Sequence, residues 1–160
     1  MKFPRCIRLD ESDVQVFHRA AEPGEWAVPG GFAFAGRDPA GFDRRERLAF
    51  RGGWLGTVSF GRSTLVEVAE LDQAGFFQVV ERLARHFVES YGAPNLTAAL
   101  PAAREAADDA AGLSDHKLQS LLALEREATE AGIVERFRLV VPERRGDHAR
   151  IWQVVADEDE

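Results

Sequence analysis

Residues 56–71 read GTVSFGRSTLVEVAEL. Two strand-length apolar runs, 54–60 and 63–71, meet at Gly61-Arg62, and the geometry of that junction decides the fold. A serine among small residues invites comparison with the nucleophile elbow, G-x-S-x-G on a strand-to-helix turn. Here Gly56 lies one residue too far from Ser59, and a second strand pattern follows instead of a helix. A phosphate-binding loop requires G-x-x-x-x-G-K-[ST] ahead of a helix. Gly56 and Gly61 have that separation, but Arg62 replaces the lysine and no helix follows. The pattern therefore predicts a tight hairpin between antiparallel strands 54–60 and 63–71, with Gly61 supplying a positive φ. Ser59 is then a structural residue, and a catalytic one is not identified.

The flanking chain extends the β pattern. Cys6, Arg8 and Asp10 alternate with Ile7 and Leu9, and Val14, Val16 and His18 alternate with Gln15 and Phe17, which predicts two short antiparallel strands. Residues 26–34 are rich in aromatic and β-branched residues, interrupted by Pro29-Gly30-Gly31, as in an edge strand with a bulge. Asp38-Pro39 has the form of a helix N-cap followed by proline, and Gly52-Gly53 ends that helix near Arg51. Asp72 opens the clearest element. Phe76, Val79, Val80, Leu83 and Phe87 form one stripe of an amphipathic helix, ended by Gly92 and Pro94. Residues 101–113 read as an alanine-rich helix with a small-residue face at Ala103, Ala106, Ala107 and Ala110. Ile133, Glu135, Phe137, Leu139 and Val141 alternate as a strand up to Pro142. The segment 118–129, LQSLLALEREAT, suits helix and strand alike. Because a strand needs a neighbour, 119–128 is taken as its hairpin partner across Glu130-Ala131-Gly132.

These elements predict a single α+β domain at 1–142, an antiparallel sheet of about five to seven strands packed by two or three helices. A charged C-terminal tail follows at 143–160, mobile over 143–150, where there is almost nothing to bury. Residues 151–155 are apolar enough to dock on the sheet or on another chain.

Composition narrows the function. The 160 residues carry 45% hydrophobic and 29% charged residues, within the range of soluble globular domains. No apolar run approaches the roughly 20 residues of a membrane span, and the first residues lack the apolar core of a signal peptide. One cysteine, Cys6, forms no internal disulfide, which suits a reducing, cytoplasmic setting. The net charge of −7 argues against a nucleic-acid partner. It is uneven: 1–62 carry ten Lys/Arg and eight Asp/Glu, while 63–160 carry ten and nineteen.

His18, His86, His116 and His148 share no metal-ligand spacing, so no metal or cofactor is expected. Asp115-His116 lacks an identifiable nucleophile. The most distinctive local feature is basic: Arg37, Arg44, Arg45, Arg47 and Arg51, with Arg62 shortly after. Arginine forks suit carboxylates and phosphates. Arg44, Arg45, Arg62, Ser63 and Thr64 are thus the candidate anion-binding set, against a solvated helix face neutralised by Asp38, Asp43 and Glu46. Trp26, Phe32 and Phe34 fit either a homodimer edge or the monomer's own core.

The runs KFPRCIRLDESDVQVFHRAAEPGEWAVPGGFAF (2–34) and SFGRSTLVEV (59–68) resemble those of a family of small, uncharacterised bacterial proteins of unknown function, over residues 1–142. The resemblance implies a bacterial stand-alone domain and transfers no catalytic residue, ligand or partner. The function expected is a non-catalytic cytoplasmic interaction or accessory protein, with a protein partner or a second copy as its target. The alternative is a small enzyme or ligand-binding protein holding an anionic molecule; a pocket containing Arg62 and His116 together is its signature.

Overall fold

At Thr64 the chain leaves one sheet and enters another. The computed structural model describes residues 1–142 and 152–156. Strand β3 (Trp54–Gly56) pairs antiparallel with β2 (Ala27–Val28) and with β4 (Arg62–Ser63), in the order β2-β3-β4. One residue later β5 (Leu65–Glu70) begins, and it belongs to the larger sheet, between β1 (Lys2–Ile7) and β6 (Leu121–Thr129). The expected long hairpin over 54–71 is therefore replaced by a short one plus a crossing. The cause is a distant residue. The Thr64 N–H and Oγ1 both donate to the carboxylate of Asp13, at 3.2 and 2.5 Å, so Thr64 is withdrawn from the ladder. The Ser63 hydroxyl lies 2.8 Å from the Leu65 carbonyl and 3.1 Å from that of Ile7, stitching the two sheets at the crossing.

The turn itself also differs from expectation. Phe60, with φ 56°, takes the left-handed conformation, and Gly61 does not. Such a conformation costs a side-chain-bearing residue roughly 1–2 kcal/mol; the Phe60 ring is held by stacking on His86, centroids 3.7 Å apart. Glycine is needed at 61 for space, since a Cβ there would lie 2.5 Å from the Ala20 carbonyl carbon and oxygen. Ser59 is tied into the turn: its Oγ donates to Glu25 Oε2 at 2.6 Å, and the Val58 and Ser59 N–H groups donate to Glu25 Oε1.

The strand expected from the alternation of Val14 to His18 is absent, and helix α1 (Ser12–Val16) stands in its place. The buried positions here are Asp13 and Phe17, four apart as on a helix, while the alternating Val14 is 50% exposed. Alternation without burial is not a strand signal. The strand at 26–34 is likewise cut short. After β2, Gly30 turns at φ 74° and residues 31–34 make a 3-10 turn. Trp26, Phe32 and Phe34 pack inside the monomer: Trp26 and Phe32 flank the main core, and Phe34 joins Phe42 and Phe50 in a smaller cluster. Asp38 caps a 3-10 turn at Pro39–Gly41, and helix α2 (Arg44–Gly52) starts later. A capping box does this, Asp43 accepting from the Glu46 N–H and Glu46 from the Asp43 N–H.

Helix α3 (Gln73–Ser90) begins after Asp72, whose side chain accepts from the Gly75 N–H, and it buries Phe76, Val79, Val80, Leu83 and Ala84. Helix α4 (Leu96–Leu113) is capped by Asn95 and begins five residues before Pro101, which sits inside it and forgoes one backbone bond. Its Ala99, Ala103, Ala107 and Ala110 are buried against the core that α3 enters. Side chains this small let the two helices approach closely. Strand β6 and β7 (Gly132–Pro142) form the expected hairpin, with Gly132 at φ 124°. The backbone of β8 (Trp152–Ala156) pairs with β7, so the apolar end of the tail lies on the sheet, giving the order β1-β5-β6-β7-β8. The expectation of mobility over 143–150 falls outside the described residues. The whole is a single α+β domain, its strands divided between two antiparallel sheets.

Candidate functional site

Strand β6 carries the residue on which the site is built. Its alternation puts Leu122, Leu124 and Arg126 on one buried face. A guanidinium is thereby driven into the interior, and its side chain has no exposed surface. It is compensated on every side. Nε donates to Glu135 Oε2 of β7 at 2.8 Å, and Nη1 donates to the Phe50 carbonyl at 2.9 Å and, at 3.3 Å, to those of Ala49 and Gly53. Nη2 donates to the Pro29 carbonyl. Three of these carbonyls, Ala49, Phe50 and Gly53, lie at the C-terminal end of α2, the negative end of its dipole, and that of Ala49 also accepts the Gly53 N–H.

Arg62, from β4, enters the same region. Its Nη1 donates to the Gly53 carbonyl at 3.1 Å and Nη2 to that of Gly30 at 3.4 Å. The two guanidinium carbons lie 4.8 and 5.4 Å from the centre of the Phe34 ring, whose π electrons attract cations. Burial, and then repulsion from Arg126, pushes the Arg62 pKa down to about 9. Burial also lowers that of Arg126, opposed by its bond to Glu135. Arg62 is a scaffold residue here, with 8% of its surface exposed.

In front of this cluster lies a cleft of about 550 Å³ between the 28–32 segment, α4 and β7. Val28, Phe32, Ala106, Leu113, Ile133 and Phe137 form its apolar walls, and Pro29, Gly30 and Gly31 a bare backbone floor. Among the described residues two ionisable side chains line it: Asp109 on α4 and Glu135 on β7. A Cβ at Gly31 would lie 2.7 Å from Glu135 Oε2 and would displace that carboxylate.

The candidate anion-binding residues are distributed otherwise. Arg44 and Arg45 are exposed on α2. The Ser63 and Thr64 hydroxyls are engaged at the sheet crossing, and Arg62 is engaged with backbone carbonyls. Thr64 lines a separate hollow of about 200 Å³ with Asp10 and Asp13. The 550 Å³ cleft contains neither Arg62 nor His116. Cys6 is buried, and that burial, then the charge of Glu25, pushes its thiol up to about 12. His86 is lowered by burial beneath Phe60. Among the described residues no three His, Cys, Asp or Glu side chains gather as a metal site, and no helix is long and apolar enough to cross a membrane.

Sequence reasoning missed Arg126, although a signal was present. Once 119–128 is a strand, Arg126 shares its parity with Leu122 and Leu124. The cleft had no comparable signal, since its walls come from three segments far apart in the chain.

No curated protein and no solved structure matches the chain. Residues 1–156 match the model of a family of unknown function, DUF6505, further than the span of 1–142 over which resemblance was noted. This chain belongs to the DUF6505 family, a family of unknown function.

Proposed function

We propose that the protein is a non-catalytic cytoplasmic binding domain, an accessory protein that acts by holding a ligand in the cleft between residues 28–32, α4 and β7. One observation carries this reading: the cleft has the size and apolar lining of a ligand site, roughly 300–1,000 Å³ in typical cases, and the described residues that line it include no hydroxyl, thiol or imidazole side chain. The hydroxyls of the opening stretch and the one thiol are engaged or buried: Ser59 with Glu25, Ser63 with main-chain carbonyls, Thr64 with Asp13, and Cys6 as a buried thiol. A buried thiol without a disulfide suits a reducing compartment. The floor is rigid, because Arg126 ties Pro29 to α2 and Arg62 ties Gly30 to the same helix end.

Backbone-amide NMR with 1-octanol, a neutral apolar probe, tests the reading. Saturable shifts confined to 28–32, 106–113 and 133–137 are expected, with the alcohol recovered unchanged. Ala106→Trp, which fills the cleft, should abolish them. Shifts scattered over the surface, or none at millimolar probe, would refute a binding role for the cleft.

A further inference from the structure

The cleft selects by charge as well as by shape. Its two lining ionisable groups are carboxylates, which accept hydrogen bonds and donate none. The cation nearest to Glu135 is Arg126, whose side chain has no exposed surface and cannot touch a ligand. Arg126 reaches only Glu135 Oε2 among that carboxylate's oxygens, and the Glu135 side chain keeps 29% of its surface exposed. Asp109, on α4, is exposed and has no ion-pair partner among the described residues. Its neighbour Asp108, by contrast, is bonded to Arg104. A ligand lying along Val28, Phe32, Leu113, Ile133 and Phe137 therefore finds acceptor oxygens at both polar positions.

Resting on the cleft reading above, we infer that its ligand is an amphipathic cation: an apolar alkyl or aryl body carrying a protonated amine. The amine donates to Asp109 and to the free oxygen of Glu135, while the body covers the apolar walls. A carboxylate or phosphate of the same length meets Asp109 with like charge and finds no side-chain donor. A neutral alcohol gains the apolar contact and at most one uncharged O–H donation to a carboxylate.

Calorimetric titration of the intact chain with octylammonium, 1-octanol and octanoate at pH 7.5 tests this, with amide NMR to place each probe. Octylammonium should bind at least tenfold more tightly than octanoate, with octanol between them, and all shifts should fall in the cleft. Asp109→Asn, an exposed substitution with little effect on folding, should weaken octylammonium at least threefold and octanol by much less, since the amide oxygen still accepts from a hydroxyl. Octanol binding in the cleft as tightly as octylammonium, or octanoate binding more tightly, overturns the cationic ligand class while the cleft reading stands. Failure of all three probes to bind in the cleft overturns both.

Discussion

Replacing Arg126 with methionine tests the scaffold behind the cleft. Methionine keeps much of the side-chain volume and removes the guanidinium. The loss can be followed acceptor by acceptor. The Ala49 carbonyl keeps the Gly53 N–H at 2.9 Å, and the Gly53 carbonyl keeps Arg62 Nη1 at 3.1 Å. The Phe50 and Pro29 carbonyls lose their bonds to Arg126 and keep no other partner among the described hydrogen bonds. Each buried acceptor left unpaired costs about 1–3 kcal/mol. Glu135, 29% exposed, rehydrates and adds less. The total is about 4 kcal/mol, the scale for removing one partner of a buried pair. At roughly 2–4 °C per kcal/mol for a domain of this size, the melting temperature should fall by about 8–16 °C. Arg62→Met provides the contrast. It removes bonds of 3.1 and 3.4 Å to carbonyls, one of which Arg126 also serves, and it relieves the repulsion between the guanidiniums. Its cost should stay near 1 kcal/mol. Calorimetry or denaturant melts of both variants decide the matter. An Arg126→Met protein melting within about 3 °C of the parent, or less affected than Arg62→Met, would refute the account of Arg126 as the tie between β6, α2 and the cleft floor.

Gly61→Ala should destabilise the protein by at least about 2 kcal/mol, because its Cβ would strike the Ala20 backbone at 2.5 Å, whereas Gly41→Ala, which meets open space, should be close to neutral in the same melts. Cys6 should resist iodoacetamide at pH 8 until the protein is unfolded, since the thiolate is the reactive form and burial pushes the thiol up to about 12. The same shift fixes a sign. Between pH 9 and 12 the unfolded chain loses the Cys6 proton before the folded one does, so this group makes stability fall with rising pH, by up to about 1.4 kcal/mol per unit. Cys6→Ala should show a shallower alkaline loss of stability, and an unchanged slope would remove Cys6 from that titration.

Local pattern was enough for the elements whose determinants are close in sequence. The stripe from Phe76 to Phe87, the cap at Asp72, the β6–β7 hairpin and the end of α2 at Gly52-Gly53 were all legible, because helical and strand periodicities and caps are set within a few residues. The α+β class followed from them. Other features depended on partners far along the chain. Asp13 removes Thr64 from its ladder across 51 residues, which turns one hairpin into a passage between two sheets. Gly61 is glycine because Ala20 lies against it, and Phe60 bears the positive φ under His86. Arg62 looked like a surface cation until Phe34 and the end of α2 closed over it, and Arg126 became a buried anchor only once β6 had a buried face. The cleft is the extreme case. Residues 28–32, 106–113 and 133–137 carry no mark of one another in sequence, and only the fold, which brings α4 and β7 to the same glycine floor, makes them a single site.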